Sequence, residues 1–372
     1  MKVLITGANG FVGKNLIAHL SERKDIQVVP FTRENSLAQL PSMVADTDFV
    51  FHLAGVNRPQ SQDEFKVGNT DLTSALCDAI KASGKPIPVL YTSSIQAERD
   101  NPYGVSKRAA EQLLEDLHLS HGSTVHVLRL PNVFGKWARP DYNSAVATFC
   151  HNITRGLPIQ VNDRQAEVSL VYIDDVIESF IVAMDAGVSI DAVNEVRPVY
   201  RVTVGELADQ LHAFHESRAT LISEPVGTGL VRALYSTYVS YLPVEQFTYE
   251  VPKYGDPRGV FVEMLKTKDS GQFSYFTAHP GITRGGHYHH SKTEKFLVIK
   301  GNACFRFRHI VSGEFYELFT QGEQPRIVET VPGWTHDITN VGDDEMIVML
   351  WANEIFDRER PDTFALPVGT HA

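Results

Sequence analysis

Three imidazoles and a carboxylate crowd the stretch "RGGHYHHSKTEKFLVIKG" (284–301), and a fourth imidazole, His336, follows in "PGWTHDITN". Residues i and i+2 of a strand face one side, so His287 and His289 are expected to point together. Glu294 on the next strand and His336 on a distant one would complete a shell of three nitrogens and one oxygen. Such a donor set suits zinc well, and iron, manganese or nickel less distinctively. His290 alternates to the other side and is expected at the surface, while Cys304 is expected in the core.

A different chemistry stands in "NPYGVSK". Tyr103 and Lys107 are four apart at the start of an expected helix, so both project from one face. A lysine ammonium near a phenol favours phenolate and draws its pKa of ~10 towards the working range. The tyrosine can then pass a proton to a carbonyl oxygen as hydride arrives at carbon. Ser94, ending "PVLYTSS", can hydrogen-bond the same oxygen. Only eight residues separate Ser94 from Tyr103, so Ser93 is the alternative hydroxyl.

Nearer the start, Gly7, Gly10 and Gly13 form GxxGxxG between the apolar run "KVLIT" and a helix beginning near Phe11. Missing β-carbons let backbone turn tightly against a pyrophosphate, whose charge meets the helix N-terminus. Thr32 and Arg33 fall where the second strand should end, beside the adenosine ribose of a bound dinucleotide. Arginine there accommodates the 2′-phosphate of NADP, which favours NADPH, with Glu34 close by as the acidic alternative for NAD.

The elements that must carry these groups follow two rhythms. Up to about residue 245, buried runs ("KVLIT", "FVFHLAG", "PVLYTSS", "TVHVLRLPNVFG") alternate with helical periodicity ("GKNLIAHLSER", "SKRAAEQLLEDLHL", "IDDVIESFIVAMDAG"). Thr203 with Glu206 makes a capping box for one more helix. This order predicts an α/β, doubly wound, Rossmann-type parallel sheet over 1–245. From 246 to 372, short β-rich runs separated by Gly, Pro and Asp predict an all-β barrel or sandwich. The break is placed near "LPVEQFTYEVPKYGD".

Bulk composition is that of an ordinary globular chain of 372 residues, with 43% hydrophobic and 21% charged residues. A formal net charge of −11 and no Lys/Arg block argue against a nucleic-acid partner. Cys77, Cys150 and Cys304 are far apart, without CxxC pairs, so neither a disulfide framework nor a thiolate zinc site is indicated. No signal-peptide layout or membrane-spanning run is read, and a reducing cytoplasm is expected.

The first part resembles the extended short-chain dehydrogenase/reductase family, through "TGANGFVG", "HLAG", Asn69, "YGVSK" and "RLPNVFG" in order. That resemblance implies a catalytic Ser94–Tyr103–Lys107 triad with Asn69 supporting the proton relay. It also implies cofactor contacts from Gly7, Gly10, Phe11, Val12, Gly13, Arg33, Ala54, Tyr103 and Lys107. The second part resembles the cupins, which are double-stranded β-helix (jelly-roll) barrels. Gly281, His287, His289, Glu294 and Gly301 match the first cupin motif, and Gly333, His336 and Asn340 match most of the second. "YGDPRGVFVEM" (254–264) and "GITRGGHYH" further resemble the nucleotide-sugar epimerase and ketoisomerase branch, in which the histidine at the position of His287 is a base. His287 therefore stands as either ligand or catalytic base.

Taken whole, the chain resembles the bifunctional capsule and O-antigen nucleotide-sugar enzymes. The expected cofactors are NADPH and one divalent metal, zinc first, and a homodimer is expected because barrel edges and β-rich terminal domains often make symmetric interfaces. By the resemblance, the cupin would epimerise C3 of UDP-2-acetamido-2,6-dideoxy-β-L-arabino-hexos-4-ulose, a UDP-4-keto-6-deoxy-N-acetylhexosamine. The reductase would then reduce C4 to the L-talose derivative. Two rivals are a plain reductase with a non-catalytic, sugar-binding or dimerising cupin, and a metal oxygenase fused to a dehydratase.

Overall fold

The computed structural model describes residues 1–61, 63–186, 196–256, 259–262, 265–267, 271–354 and 359–369. Contacts group the chain into two compact units, Met1–Ser144 with Val168–Arg201, and Ala145–Glu167 with Val202–Ala372.

The first unit opens with β1 (Lys2–Thr6), α1 (Phe11–Ser21), β2 (Gln27–Phe31), α2 (Leu40–Ala45) and β3 (Phe49–His52). A single turn α3 (Asp63–Phe65) runs through a π-helical stretch, Lys66–Asp71, into α4 (Leu72–Ser83). Then come β4 (Val89–Ser94), α5 (Pro102–His121) and β5 (Val125–Leu130). The five strands form one parallel sheet in the order β2-β1-β3-β4-β5. The order reverses beside β1, and ligands of such sheets bind outside the carboxyl ends of the strands at that point. β1, β3 and β4 are buried on both faces, as expected. "TVHVLRLPNVFG" differs: it divides at Pro131 into β5 and β6 (Asn132–Phe134), and edge strand β5 alternates between buried and half-buried positions. β6 pairs with β7 (Glu167–Tyr172), which leads into α7 (Ile173–Ala186).

β8 (Tyr200–Thr203) joins the sheet of β6 and β7, begins in the first unit and leads into the second, which holds α6 (Ala145–Thr154), α8 (Val204–Thr220), β9 (Ile222–Ser223) and α9 (Gly229–Ser240). Thr203 and Glu206 cap α8 reciprocally, as read. The strands β10 (Thr248–Glu250), β11 (Lys253–Asp256), β12 (Gly259–Val262), β13 (Lys266–Thr267), β14 (Gln272–Ala278) and β15 (Thr283–Tyr288) follow. Next are β16 (Glu294–Lys300), β17 (Asn302–His309), β18 (Phe315–Gln321), β19 (Arg326–Glu329), β20 (Trp334–Asn340), β21 (Met346–Ala352) and β22 (Phe364–Ala365). Two antiparallel five-stranded sheets, β10-β19-β16-β21-β14 and β18-β17-β20-β15-β22, make the expected jelly-roll sandwich. Within "YGDPRGVFVEM" the backbone pairs as β11 with β12, while Pro257, Arg258, Glu263 and Met264 lie outside the described residues.

Helices preceding residue 245 group with the sandwich because an ionic cluster joins them. Lys295 on β16 bonds Glu329 on β19, which also accepts from Tyr235 of α9 at 3.1 Å and faces Arg218 of α8 at 3.3 Å. Arg218 lies 4.4 Å from the centre of the Tyr249 ring on β10. Burial works against the Lys295 ammonium, yet Glu329 holds its pKa well above the usual value. Removing one partner of such a group leaves a buried charge uncompensated, which is strongly destabilising.

His290 corrects an expectation. β15 ends at Tyr288, so strand alternation does not carry on to position 290. The ring is buried (4% exposed), 5.0 Å from Phe364 and 5.5 Å from Tyr288. Cys304 is buried as expected.

Candidate functional site

The nucleotide end of the first unit is built from close backbone approaches. Gly7 has φ +69°, and a β-carbon there would lie 2.8 Å from the Ala54 backbone. At Gly13 a β-carbon would meet the Gly7 carbonyl at 2.4 Å, so only glycine lets α1 sit against the loop. α1 begins at Gly10 without a side-chain cap, which leaves first-turn N–H groups open to an anion. Phe11 and Val12 form that first turn, and β2 ends at Phe31 so that Arg33 is exposed just beyond it, as expected. This cradle fits a dinucleotide pyrophosphate.

Tyr103 and Lys107 lie in the first turns of α5. Asn101 accepts from the Gly104 N–H at 2.8 Å and Pro102 occupies the first helical position, so the helix start is locally encoded. Ser94 hydrogen-bonds the Tyr103 phenol, whereas Ser93 is buried with no hydrogen-bond partner for its Oγ. The single 3₁₀ turn Ile95–Glu98, capped by Ser94, makes the short spacing workable. Lys107 Nζ donates to the Thr92 carbonyl at 2.9 Å, and burial pushes its pKa down to about 8. The expectation of a depressed Tyr103 pKa is corrected. Burial raises it and outweighs the Ser94 hydrogen bond, since the Lys107 ammonium is engaged with backbone.

Asn69 joins this region to the loop after β3. Its Oδ1 accepts from the Val56 N–H at 2.8 Å, and its Nδ2 donates to the Val56 carbonyl and to Ser106 Oγ. Ser106 in turn donates to the Tyr103 carbonyl at 2.7 Å. Sequence reasoning missed the next links. The Ala54 N–H donates to Thr6 Oγ1, Thr6 to His52 Nδ1 (2.7 Å), His52 Nε2 to Thr73 (2.8 Å), and Thr73 to the Asn69 carbonyl. His52 stays neutral because burial lowers its pKa to about 3. His52 opens the motif "HLAG" at the end of a strand buried on both faces, and that motif carries the resemblance without revealing the hydrogen bonds of the ring.

In the second unit, His287, His289, Glu294 and His336 present one donor atom each, all within 4.8 Å of one another. His287 pairs in register with His336 across β15 and β20. A shift in register between Gly285 and His287 re-aims the strand end, and His289 lies just past it, so simple alternation is only part of the geometry. His289 Nε2 stands 3.2 Å from Glu294 Oε2 and His336 Nε2 stands 3.5 Å from the same oxygen. Both ring nitrogens of His336 are buried without a hydrogen-bond partner. Burial, then the neighbouring imidazoles, lowers the His287 pKa to about 3. Burial opposes ionisation of Glu294, but His289 and His336 outweigh it and hold the carboxyl well below its usual range. An ionised carboxylate among buried imidazoles, with the His336 nitrogens orphaned, fits a divalent cation. Lys292 Nζ, 3.4 Å from Glu294 Oε1, puts a charged donor beside the cage.

Among the described residues, no helix is long and apolar enough to cross a membrane. Residues 3–196 match the model of the NAD dependent epimerase/dehydratase family, and residues 254–364 match the polysaccharide biosynthesis C-terminal domain. The chain is 65% identical to UDP-2-acetamido-2,6-beta-L-arabino-hexul-4-ose reductase of Pseudomonas aeruginosa PA103 over 372 residues, the full length of both. It is similar to the crystal structure of the capsular polysaccharide assembling protein CapF from Staphylococcus aureus (43% identity, TM-score 0.69), covering 99% of this chain and all of that one. A structure of CapF with the inhibitor 3-isopropenyl-tropolone matches over the same shares (39% identity, TM-score 0.64). The chain belongs to the NAD dependent epimerase/dehydratase family, as a CapF-like protein that carries a polysaccharide biosynthesis C-terminal domain.

Proposed function

We propose that the two sites act in turn on one ketone. The chain reduces a UDP-4-keto acetamido sugar, in capsular polysaccharide biosynthesis. Its substrate is UDP-2-acetamido-2,6-dideoxy-β-L-arabino-hexos-4-ulose, epimerised at C3 in the cupin and then reduced at C4. The observation that carries this reading is the presence, in one chain, of a Ser94–Tyr103 donor pair beside Lys107 and a four-donor cation cage.

A C4 ketone acidifies the neighbouring C3–H because the resulting anion delocalises onto oxygen. Reprotonation from the opposite face inverts C3. Reduction removes the ketone and that acidity with it, so epimerisation comes first. In the cage we assign His287 as a ligand rather than the base, because its donor atom converges with the other three and burial keeps it neutral. A divalent ion held by His287, His289, Glu294 and His336, zinc in the first instance, would supply Lewis-acid stabilisation of negative charge on oxygen. A similar CapF structure carries the inhibitor 3-isopropenyl-tropolone, and tropolone oxygens chelate divalent ions, which supports the metal reading.

In the reductase site, the glycine cradle holds the dinucleotide, and exposed Arg33 favours NADPH over NADH. NADPH, when bound, supplies the hydride to C4. Tyr103, kept protonated by burial, donates the proton to the C4 oxygen, Ser94 hydrogen-bonds and orients that oxygen, and the Lys107 ammonium, held at the Thr92 carbonyl, supplies positive charge on the same helix face as the proton leaves. Asn69 and Ser106 hold the Tyr103 turn against the loop that carries Ala54. Three free, buried cysteines accord with a reducing, cytoplasmic setting. A homodimer is the proposed assembly. It is supported by β14, which ends its sheet with Phe273 and Tyr275 exposed, a ready surface for strand pairing with a second copy.

The test is a reaction of the purified chain with the 4-keto sugar and NADPH. A product both inverted at C3 and reduced at C4 is expected. Reduction without inversion would leave the plain reductase with a non-catalytic cupin.

A further inference from the structure

We propose that Asp362, on a segment far beyond the last ligand in the chain, is a positioning residue of the metal cage. The inference rests on the metal reading above and extends it to a group that touches no donor atom of the cage. The residues between His289 and Glu294 form a turn that links two ligands, and its backbone needs partners. Asp362 supplies them: Oδ1 accepts the His290 N–H at 2.8 Å, and Oδ2 accepts the N–H groups of Ser291 (2.8 Å) and Lys292 (2.7 Å). Oδ2 also accepts from Ser291 Oγ at 3.0 Å. His290, Ser291 and Lys292 are each buried, so without the carboxylate three N–H groups would be left without acceptors.

The same residue acts on the ligand ring itself. The Asp362 carbonyl accepts from His289 Nδ1, which places the proton on that nitrogen and leaves Nε2 free to face Glu294 at 3.2 Å. A hydrogen bond to the far nitrogen of a ligating histidine sets both tautomer and ring direction.

Asp362 can do this because its segment is strapped to both strands that carry cage histidines. β22 pairs with β15 (His287 with Ala365, Tyr288 with Phe364), and the Leu366 N–H donates to the Gly286 carbonyl at 2.8 Å. Thr335, beside His336, bonds the Leu366 carbonyl. Lys292 Nζ reaches Thr363 Oγ1 at 2.9 Å, which ties the turn a second time. One carboxylate thus fixes the spacing of two ligands, while its own backbone fixes the tautomer of one.

The test titrates Zn²⁺ alone into the full-length, chelator-stripped chain and into Asp362→Ala and Asp362→Asn, by calorimetry. The change in Kd expected for Asp362→Ala is a weakening of about 10- to 100-fold, the range for outer-shell partners. Asp362→Asn should weaken it also, because an NH₂ group then faces the Ser291 and Lys292 N–H groups. Nitrogen-15 spectra of the metal-free protein should show His289 protonated on Nδ1 in the natural chain and in both variants, because the Asp362 carbonyl that accepts this proton belongs to the backbone. NADPH-dependent reduction of an already epimerised ketone, unchanged, reports that the rest of the chain is folded. Should Asp362→Ala fail to fold, Asp362→Asn carries the test alone. Natural affinity in the folded variant would overturn the positioning role of the Asp362 carboxylate, and a natural chain with His289 protonated on Nε2 would overturn the role of its carbonyl. A natural chain that takes up no Zn²⁺ would overturn the metal reading and this inference with it.

Discussion

The two sites solve the problem of holding reactive groups in opposite ways. In the reductase site each group is set by its own surroundings. Lys107 is governed by burial and a backbone carbonyl, Tyr103 by burial and Ser94, and His52 first by burial between two threonines, with a smaller push from the Lys107 charge. In the cage the groups set one another, since His287 is kept neutral partly by His289 and His336, and Glu294 is kept ionised by the same imidazoles. The first design tolerates losing a neighbour and keeps its remaining chemistry. The second is cooperative, so that one missing donor disturbs all.

The sharpest separation should come from Tyr103→Phe. Loss of the proton donor is expected to lower kcat/KM for ketone reduction by about 10²–10⁴-fold while C3–H exchange stays as it was. Parallel loss of both activities would mean that the sites are not independent. The converse variant, Glu294→Gln, removes the one anionic donor of the cage. Zinc content and C3–H exchange should fall by more than the ~10–100-fold typical of an outer-shell change. NADPH oxidation with an already epimerised ketone should persist, and simultaneous loss of it would break the comparison.

A smaller effect lies in pH. Lys107 is charged below about pH 8, so reduction should lose about tenfold per unit above it, and Lys107→Arg should move that limb upward. Its folded pKa lies below the unfolded value of ~10.4, so the burial penalty on the ammonium is carried in full below about pH 8. Over the interval between the two values the unfolded chain binds the proton that the folded chain lacks, and stability should rise with pH there. A flat reduction profile through pH 9 would contradict the assignment. The smallest effect is Thr73→Val, which interrupts the chain of hydrogen bonds from Ala54 to Asn69. It should cost about 1–2 kcal/mol of stability, read by thermal unfolding, with only a few-fold loss of reduction.

How far each site was legible follows from the same contrast. The glycine cradle sits between β1 and α1, Ser94 ends β4, and Tyr103 and Lys107 open α5, so each piece can be read from its own short motif. The cage ligands were legible too, because three of the four fall within eight residues of sequence, from His287 to Glu294. What could not be read was whatever depended on distant chain returning. Asp362 reaches the His289 turn only through β22 pairing, His290 is buried because β15 stops early, and Lys295 draws in α8 and α9 through Glu329. No local pattern encodes such pairings. The Tyr103 pKa was misread for a related reason: the motif shows a neighbouring lysine but not the backbone carbonyl that occupies it.

The central claim is that the cupin loosens C3–H without help from the reductase. Proton NMR of the 4-keto sugar in deuterated buffer with the Tyr103→Phe chain, zinc-loaded and then zinc-stripped, tests it most directly. Deuterium entering at C3 with zinc, the ketone intact, and vanishing on stripping is the predicted result. A C3 proton that persists in the zinc-loaded chain would contradict the account.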